Sequence, residues 1–135
     1  MPRTRQLLDT LSVSFRPQVS SERLAAAIDA MLECEEAVTA CAAAMVGEDD
    51  VRELHDAIIR DLNCSDTVAT TRRLISRGSD AALLSAQLEA CVIACEHSAE
   101  LCAEHANHHE HCRICSQATL RCAEACRQIL HRLHG

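Results

Sequence analysis

Apolar residues recur every three or four positions along most of the chain, which is the spacing of one face of an α-helix. The pattern predicts an all-α protein that starts with a short amphipathic helix over residues 3–13. Arg16-Pro17, just after it, prevents the helix from continuing. Four longer helices of about 25 residues each are predicted to follow. They are expected to cover residues 20–46, 48–77, 79–106 and 107–133.

Residues that start and stop helices separate these stretches. Ser20 or Ser21 is expected to cap the first long helix, Ser79 or Asp80 the third, and Asn107 the fourth. Gly47 and Gly78 are expected to end the first two. Acidic residues at 48–50 place negative charge at the start of the second, where the helix dipole favours it. Because the predicted connections are very short, the helices are expected to pack as an antiparallel, up-down-up-down four-helix bundle.

The inward-facing stripe of each predicted long helix contains cysteine. All ten cysteines fall on these stripes, seven of them on the last two helices. Since side chains three and four residues apart share one helical face, the thiols are expected to point together into the bundle. We therefore expect residues 1–16 to form the short N-terminal helix and residues 17–135 a cysteine-lined four-helix bundle. The predicted thiol ligands are Cys34, Cys41, Cys64, Cys91, Cys95, Cys102, Cys112, Cys115, Cys122 and Cys126.

Composition narrows the range of partners. The chain has one aromatic residue, Phe15, and a net charge of −7, which argue against base stacking and against binding to a phosphate backbone. Asp9 and Ser12 interrupt the N-terminal segment and no apolar stretch is long enough for a bilayer, so we expect neither a secretion signal nor a membrane span. We interpret the protein as cytoplasmic, where thiols stay reduced and a dense cysteine set favours a metal site.

The cysteine spacing favours Cu(I) over other metals. Zinc takes four ligands, typically from Cys-x-x-Cys knuckles, and only Cys112 and Cys115 have that spacing. Cys-x-x-x-Cys recurs instead, which indicates a sulfur ladder without a discrete group of four. Soft thiolates select Cu(I), and about one Cu(I) per thiolate leaves a buried core neutral. Cysteines as simple core residues and cross-helix disulfides are the alternative interpretations.

The two ends of the predicted bundle differ in chemistry. Imidazole and thioether groups, which suit the passage of copper, gather at one end, the mouth, and aliphatic side chains close the other, the floor. Asp61 lies one turn from Cys64, where we expect it to pair with an arginine or, as the second choice, to act as an oxygen ligand. The mouth contains Met45, His55, His105, His108, His109 and His111. All of these except His55 are predicted to be metal ligands, and so is Asp61. The floor contains Leu24, Ile28, Leu74, Ile75, Leu83, Leu84, Ile129, Leu130 and Leu133.

Several motifs are specific enough to indicate a family. His-Glu-His-Cys-Arg-Ile-Cys at 109–115 and Cys-Ala-Glu-Ala-Cys-Arg at 122–127 are the strongest, and Asn-Cys-Ser-Asp at 63–66 and Thr-Arg-Arg-Leu-Ile-Ser-Arg-Gly at 71–78 add to them. With these motifs, residues 20–133 resemble the cytosolic copper storage proteins of bacteria, a family of cysteine-lined four-helix bundles. The resemblance implies a homotetramer of bundles, many Cu(I) ions on the inward thiolates of each bundle, and copper entry at the mouth.

This chain departs from the family pattern at positions where members often carry cysteine. The expected consequence is that it holds fewer ions or bridges them differently. The departures are Val68, Ser98 and Thr119.

The predicted function is storage and buffering of Cu(I) in the cytoplasm, which protects against copper toxicity, without catalysis. A ferritin-like di-iron enzyme needs Glu-x-x-His on two helices, and no histidine of this sequence has Glu three positions before it. A thiol-based redox sensor, a helical interaction module, and a zinc or copper chaperone that binds few ions are the alternatives.

Overall fold

The computed structural model describes residues 2–10 and 19–134. These residues form five α-helices and no β-strand, which confirms the all-α prediction. The predicted end of the first helix, with Leu11 and the Arg16-Pro17 break, lies outside the described residues. In chain order the helices are α1 Pro2–Asp9, α2 Ser21–Val46, α3 His55–Arg77, α4 Ala81–His105 and α5 Glu110–His134.

Polar caps and glycines set several helix ends, as predicted. The Ser20 hydroxyl accepts a hydrogen bond from the backbone N–H of Arg23 at 3.2 Å, and this bond satisfies a free donor at the start of α2. The Asp80 carboxylate does the same for α4, where it accepts from the N–H of Leu83 at 2.9 Å. Gly78 ends α3 with a φ of 86°, a conformation that an L side chain would strain.

Both connections at the mouth are longer than the sequence pattern predicted. Residues 48–54 form turns, so the prediction that a helix begins at Glu48 is wrong. The physical reason is tertiary, because in these turns Glu48 and Asp50 contact His111 and His109 near the start of α5. The preference of acidic residues for a helix start is worth only about 0.3 to 1 kcal/mol. The prediction that Asn107 caps the last helix is also wrong, since turns continue over residues 106–108 and the His109 carbonyl accepts from the N–H of Cys112 at 3.0 Å.

The four long helices surround one core. Contacts join α2 to α3, α3 to α4, α4 to α5 and α5 back to α2, and α1 packs against α2 through the buried Leu8. Ion pairs tie the outer faces together, including Arg72 on Glu35, whose Nε and Oε2 atoms are 2.6 Å apart. No described helix is both long enough and apolar enough to cross a membrane.

The floor is built mainly as predicted. Leu83 is the exception, because it is 49% exposed. A one-residue step rotates the side chain by about 100° around the helix, so Leu83 and its buried neighbour Leu84 cannot both face the core. Leu130 and Leu133 are half-buried against the core. The predicted floor residues that are buried are Leu24, Ile28, Leu74, Ile75, Leu84 and Ile129.

Candidate metal centre

All ten cysteines are free thiols, and none is more than 1% exposed. They are buried because each lies on the inward stripe of its helix, where steps of three, four or seven residues keep side chains on one face. The prediction that the thiols converge in the bundle is therefore confirmed, and a disulfide interpretation does not describe this structure. The sulfur contacts divide the ten thiols into two groups.

The inner sulfur group lies toward the floor and connects all four long helices. The Sγ atoms of Cys34 and Cys64 are 3.9 Å apart, and those of Cys64 and Cys95 are 3.7 Å apart. Cys122 joins them, since its sulfur lies within 4.8 Å of both Cys34 and Cys95. Two thiolates that flank one linear Cu(I) are about 4.5 Å apart if each metal–sulfur bond is about 2.3 Å. The whole group consists of Cys34, Cys64, Cys91, Cys95, Cys122 and Cys126.

Cys91 and Cys126 form the end of the inner sulfur group that is nearest the floor. Their Sγ atoms are 3.5 Å apart, and both lie within 4.8 Å of the sulfur of Cys122. Below them the core is aliphatic, with Leu88 and Ile129 buried. An ion that entered through the floor would lose its hydration water and find no ligands to replace it, which costs free energy.

The outer sulfur group lies toward the mouth and consists of Cys41, Cys102, Cys112 and Cys115. The Sγ atoms of Cys102 and Cys115 are 3.6 Å apart, and those of Cys41 and Cys112 are 3.9 Å apart. Asp61 on α3 completes the set, since a carboxylate oxygen of Asp61 and the sulfurs of Cys41, Cys102 and Cys115 all lie within 4.8 Å of one another. This arrangement offers an ion three soft sulfurs and one harder oxygen.

Asp61 lies among thiols and not beside an arginine, so the favoured expectation for this residue is wrong. Its Oδ1 accepts hydrogen bonds from Ser98 Oγ at 2.6 Å and from the sulfurs of Cys102 and Cys115 at 3.4 and 3.7 Å. Its Oδ2 is buried and has no hydrogen-bond partner among the described residues. Burial raises the pKa of Asp61 to about 6, although the hydrogen bond from Ser98 favours the charged form.

A layer without thiols separates the two sulfur groups. On α2 the fully buried Val38 lies between Cys34 and Cys41. Ser98 on α4 and Thr119 on α5 hold equivalent positions between cysteines seven residues apart. The Ser98 hydroxyl bonds to Asp61 and the Thr119 hydroxyl donates to the Cys115 carbonyl at 3.0 Å. In the described part of the chain, each sulfur–sulfur hydrogen-bond contact joins members of the same group.

Hydrogen bonds between the thiols lower the pKa of some of them and raise the pKa of others. Those with Cys34 and Cys95 lower the pKa of Cys64 to about 5, and those with Cys102 and Cys41 lower the pKa of Cys115 to about 6. A metal ion that binds to a protonated thiol must displace its proton. Hydrogen bonds with neighbouring thiols, together with burial, raise the pKa of Cys34, Cys41, Cys95 and Cys126.

His111 connects the outer sulfur group to the surface of the mouth. Its Nδ1 is 3.4 Å from the sulfur of Cys41 and 3.5 Å from that of Cys112. Its Nε2 faces outward and lies 3.0 Å from Oε1 of Glu48. One imidazole therefore contacts buried thiols on one side and a partly exposed carboxylate on the other.

His109 lies beside His111 and between two acidic residues. The two rings stack with their centroids 5.2 Å apart. His109 Nδ1 is 3.4 Å from Oε1 of Glu48, and its Nε2 is 3.0 Å from Oδ2 of Asp50. The hydrogen bond with Asp50 raises the pKa of His109 and lowers the pKa of Asp50. The helical pattern did not indicate Glu48 or Asp50 as part of the mouth, although their place directly after Gly47, at one end of the bundle, was a usable signal.

The remaining predicted mouth residues divide by exposure. Met45 is fully buried and His105 is half-buried, as a residue lining the mouth should be. The prediction that His108 lines the mouth as a metal ligand is wrong, because the turn before α5 leaves its side chain exposed. His55 is also exposed, and its Nδ1 lies 3.7 Å from Oδ1 of Asp56.

Comparisons with known proteins give similar sequences and structures. The family profile described as Csp, copper storage protein, matches residues 20–131. A structure of the copper storage protein Ccsp from Streptomyces lividans, loaded with 10 copper equivalents, is 37% identical, with a TM-score of 0.89. The match covers 95% of this chain and 98% of that one. A search of curated proteins gives no significant match.

Two further structures from the same organism are also similar to this chain in sequence and fold. A cytosolic copper storage protein with five coppers is 39% identical over 82% of this chain and 93% of its own, with a TM-score of 0.80. A histidine-to-alanine variant of Ccsp is 38% identical over 85% of this chain and 98% of its own, with a TM-score of 0.83. Since the family profile spans most of the sequence and these relatives share both its fold and more than a third of its residues, the chain belongs to the copper storage protein family.

Proposed function

We propose that this protein stores and buffers Cu(I) in the cytoplasm on the thiolates of its inner and outer sulfur groups, and so protects the cell against copper toxicity. The observation that carries the proposal is the burial of ten free thiols in two separate groups, within each of which the sulfurs lie close together. The relatives support it, because one was obtained with 10 copper equivalents and another, called cytosolic, with five coppers.

Charge balance favours Cu(I) as the stored ion. Ten ionised thiolates cannot remain unpaired in a low-dielectric core, and each Cu(I) that binds releases protons from the thiols. At about one Cu(I) per thiolate the charges cancel, whereas a zinc ion held by four thiolates leaves a net charge of about −2. The thiols are also too enclosed to act as a redox sensor, which needs an exposed reactive thiol.

The proposal assigns a role to each part of the site. The ten thiolates hold the copper, with Asp61 as an oxygen ligand in the outer sulfur group. The unpartnered Oδ2 of Asp61 supports that role, because an acceptor-only atom among thiols can be satisfied by a cation. The mouth residues that receive the incoming ion are Met45, His105, His109 and His111. Nothing in this arrangement requires a bound substrate or a chemical step, so the function is storage without catalysis.

The proposed architecture is an antiparallel, up-down-up-down bundle over residues 17–135, preceded by an N-terminal segment, residues 1–16, that contains the short helix α1. Contacts between α4 and α5 support it, because Cys91 meets Cys126 whereas the later Cys102 meets the earlier Cys115. Family resemblance adds a homotetramer to the proposal. Exposed apolar side chains on the outer faces of α3 and α4 are consistent with association, and they include Ile59, Leu62 and Ile93.

Anaerobic titration of the reduced protein with Cu(I), against a competing chelator, tests the function. We expect saturation at about ten Cu(I) per chain, since one ion per thiolate balances the charge. Concentration must come from a thiol assay, because the chain has no Trp or Tyr. Saturation at one or two ions would contradict storage and favour a chaperone.

A matched pair of variants links the capacity to the thiols. Replacing Cys91 and Cys126 with serine removes one end of the inner sulfur group and should lower the capacity by about two ions. Replacing Ser65 with alanine on the same bundle removes a hydroxyl that contacts Thr39 outside the core, and it should leave the capacity unchanged.

A further inference from the structure

Glu48, His109 and His111 converge at the mouth, outside both sulfur groups. Glu48 Oε1 lies 3.4 Å from Nδ1 of His109 and 3.0 Å from Nε2 of His111. One ligand atom from each of the three residues lies within 4.8 Å of the other two. The set contains two imidazoles and a carboxylate and no thiol.

These separations fit a small divalent cation. Bonds of about 2.1 Å from zinc to nitrogen or oxygen place neighbouring ligand atoms of a tetrahedron about 3.4 Å apart. The two distances to Glu48, 3.4 and 3.0 Å, are close to that value, so small side-chain rotations suffice to admit an ion. All three side chains are only partly exposed, with His109 at 11%, which leaves water room to complete the coordination.

Asp50 adds the interaction that a metal-binding histidine usually needs. A histidine that binds a metal through one ring nitrogen commonly donates the other N–H to a carboxylate, which fixes the tautomer and the ring orientation. His109 is arranged in this way, with Nδ1 facing Glu48 and Nε2 at 3.0 Å from Asp50. The turns at 48–54 place both acidic residues there, which a helix beginning at Glu48 would not do.

We propose that Glu48, His109 and His111 form a binding site at the mouth of the bundle for a divalent cation of borderline softness, such as Zn(II). Asp50 is the positioning residue that orients His109. The site shares His109 and His111 with the proposed entry of copper, but it differs from the thiol store in chemistry, because imidazole and carboxylate ligands suit Zn(II) whereas stored Cu(I) prefers thiolate. His111 contributes Nε2 to this site, while its Nδ1 faces the thiols of Cys41 and Cys112.

The test uses protein loaded with one Cu(I) per thiol, so that Zn(II) does not bind to free cysteines. Equilibrium dialysis against Zn(II), with elemental analysis of both metals, should give about one Zn(II) per chain. Co(II) in place of zinc should give a tetrahedral visible spectrum without the intense near-ultraviolet bands of thiolate coordination. No bound Zn(II), or a Co(II) spectrum with thiolate bands, would overturn the proposal.

Two variants and a matched control locate the site. Glu48→Gln removes the ligand charge and should weaken Zn(II) binding at least about tenfold, and Asp50→Asn should weaken it about 10- to 100-fold through His109. Asp49→Asn makes the same charge change at an exposed position between them and should bind Zn(II) like the parent. Equal binding by Glu48→Gln and the parent would refute the site.

The copper content of the same samples keeps this proposal separate from copper storage. All three variants should retain the parent's Cu(I) capacity, because none removes a thiol. A loss of zinc with unchanged copper supports the mouth site. If the chain binds Zn(II) at the mouth but little Cu(I), that result would refute copper storage and leave the zinc site supported.

Discussion

Asp61 is a buried carboxyl group whose ionisation opposes folding. Its side chain is 0% exposed, and burial raises its pKa from 3.8 to about 6. Folding therefore favours the protonated form. The resulting penalty is absent below the pKa of the unfolded chain, grows as the pH rises, and is complete above the pKa of the folded protein. A rise from 3.8 to about 6 corresponds to about 3 kcal/mol of stability lost at neutral pH.

The variant Asp61→Asn removes the charge and keeps an oxygen that can accept from Ser98. We expect its free energy of unfolding, minus that of the parent, to increase by about 2 to 3 kcal/mol between about pH 4 and about pH 7.5. The new amide N–H groups can cost roughly 1 to 3 kcal/mol at every pH, so the informative quantity is the change with pH.

The assay is anaerobic urea unfolding of the reduced, copper-free protein, followed by circular dichroism. Histidines and the other carboxylates titrate in both proteins and cancel in the difference. Asp66→Asn, an equal charge change at an exposed position on α3, is the control and should show little dependence on pH. If the difference between Asp61→Asn and the parent is the same at both pH values, the argument from burial is refuted.

Three further predictions follow from the fold and the mouth. Reduced, copper-free protein should remain largely helical in circular dichroism, because an aliphatic floor and long helices bury a core without metal, and a random-coil spectrum would contradict this. Replacing His105, His109 and His111 together with Phe should slow Cu(I) uptake in stopped-flow loading but lower the final copper content by only a few ions, whereas unchanged rates would place entry elsewhere. Ile75→Ala on the floor should lower the free energy of unfolding by about 2 to 5 kcal/mol, against roughly 0.5 kcal/mol or less for the exposed Leu83→Ala, and equal losses would contradict the assigned burial.

The helices and the inward thiols could be predicted because both depend on local periodicity. A residue every three or four positions defines one face of a helix, and the ten cysteines follow that rule without exception. Ser20 and Asp80 could be predicted as caps, because a cap needs only a hydroxyl or carboxylate a few residues before a free N–H. These features require no knowledge of neighbouring helices.

The mouth could not be predicted in detail, because its geometry depends on contacts far apart in sequence. The acidic residues after Gly47 have the signature of a helix start, yet they lie in turns, where Glu48 and Asp50 contact His111 and His109. Asp61 presented the same difficulty. An aspartate on a buried stripe suggests a paired arginine. Only the packing of α3 against α4, with α5 across the core, places Ser98, Cys102 and Cys115 around it.

The division of the sulfur ladder shows how spacing and packing combine. Cys34 and Cys41, Cys95 and Cys102, and Cys115 and Cys122 are each seven residues apart, a rise of about 10.5 Å that no sulfur–sulfur contact can bridge within one helix. Whether the ladder is continuous therefore depends on how neighbouring helices are aligned. The sulfurs of Cys34, Cys95 and Cys122 converge at one level, and those of Cys41, Cys102 and Cys115 converge at another. The residues midway between them, Val38, Ser98 and Thr119, therefore lie at one level, so the gaps coincide and do not interleave. Under the proposed function, the bundle consequently holds two copper stores in series, four thiolates with Asp61 near the mouth and six beyond a layer of hydroxyl and aliphatic groups.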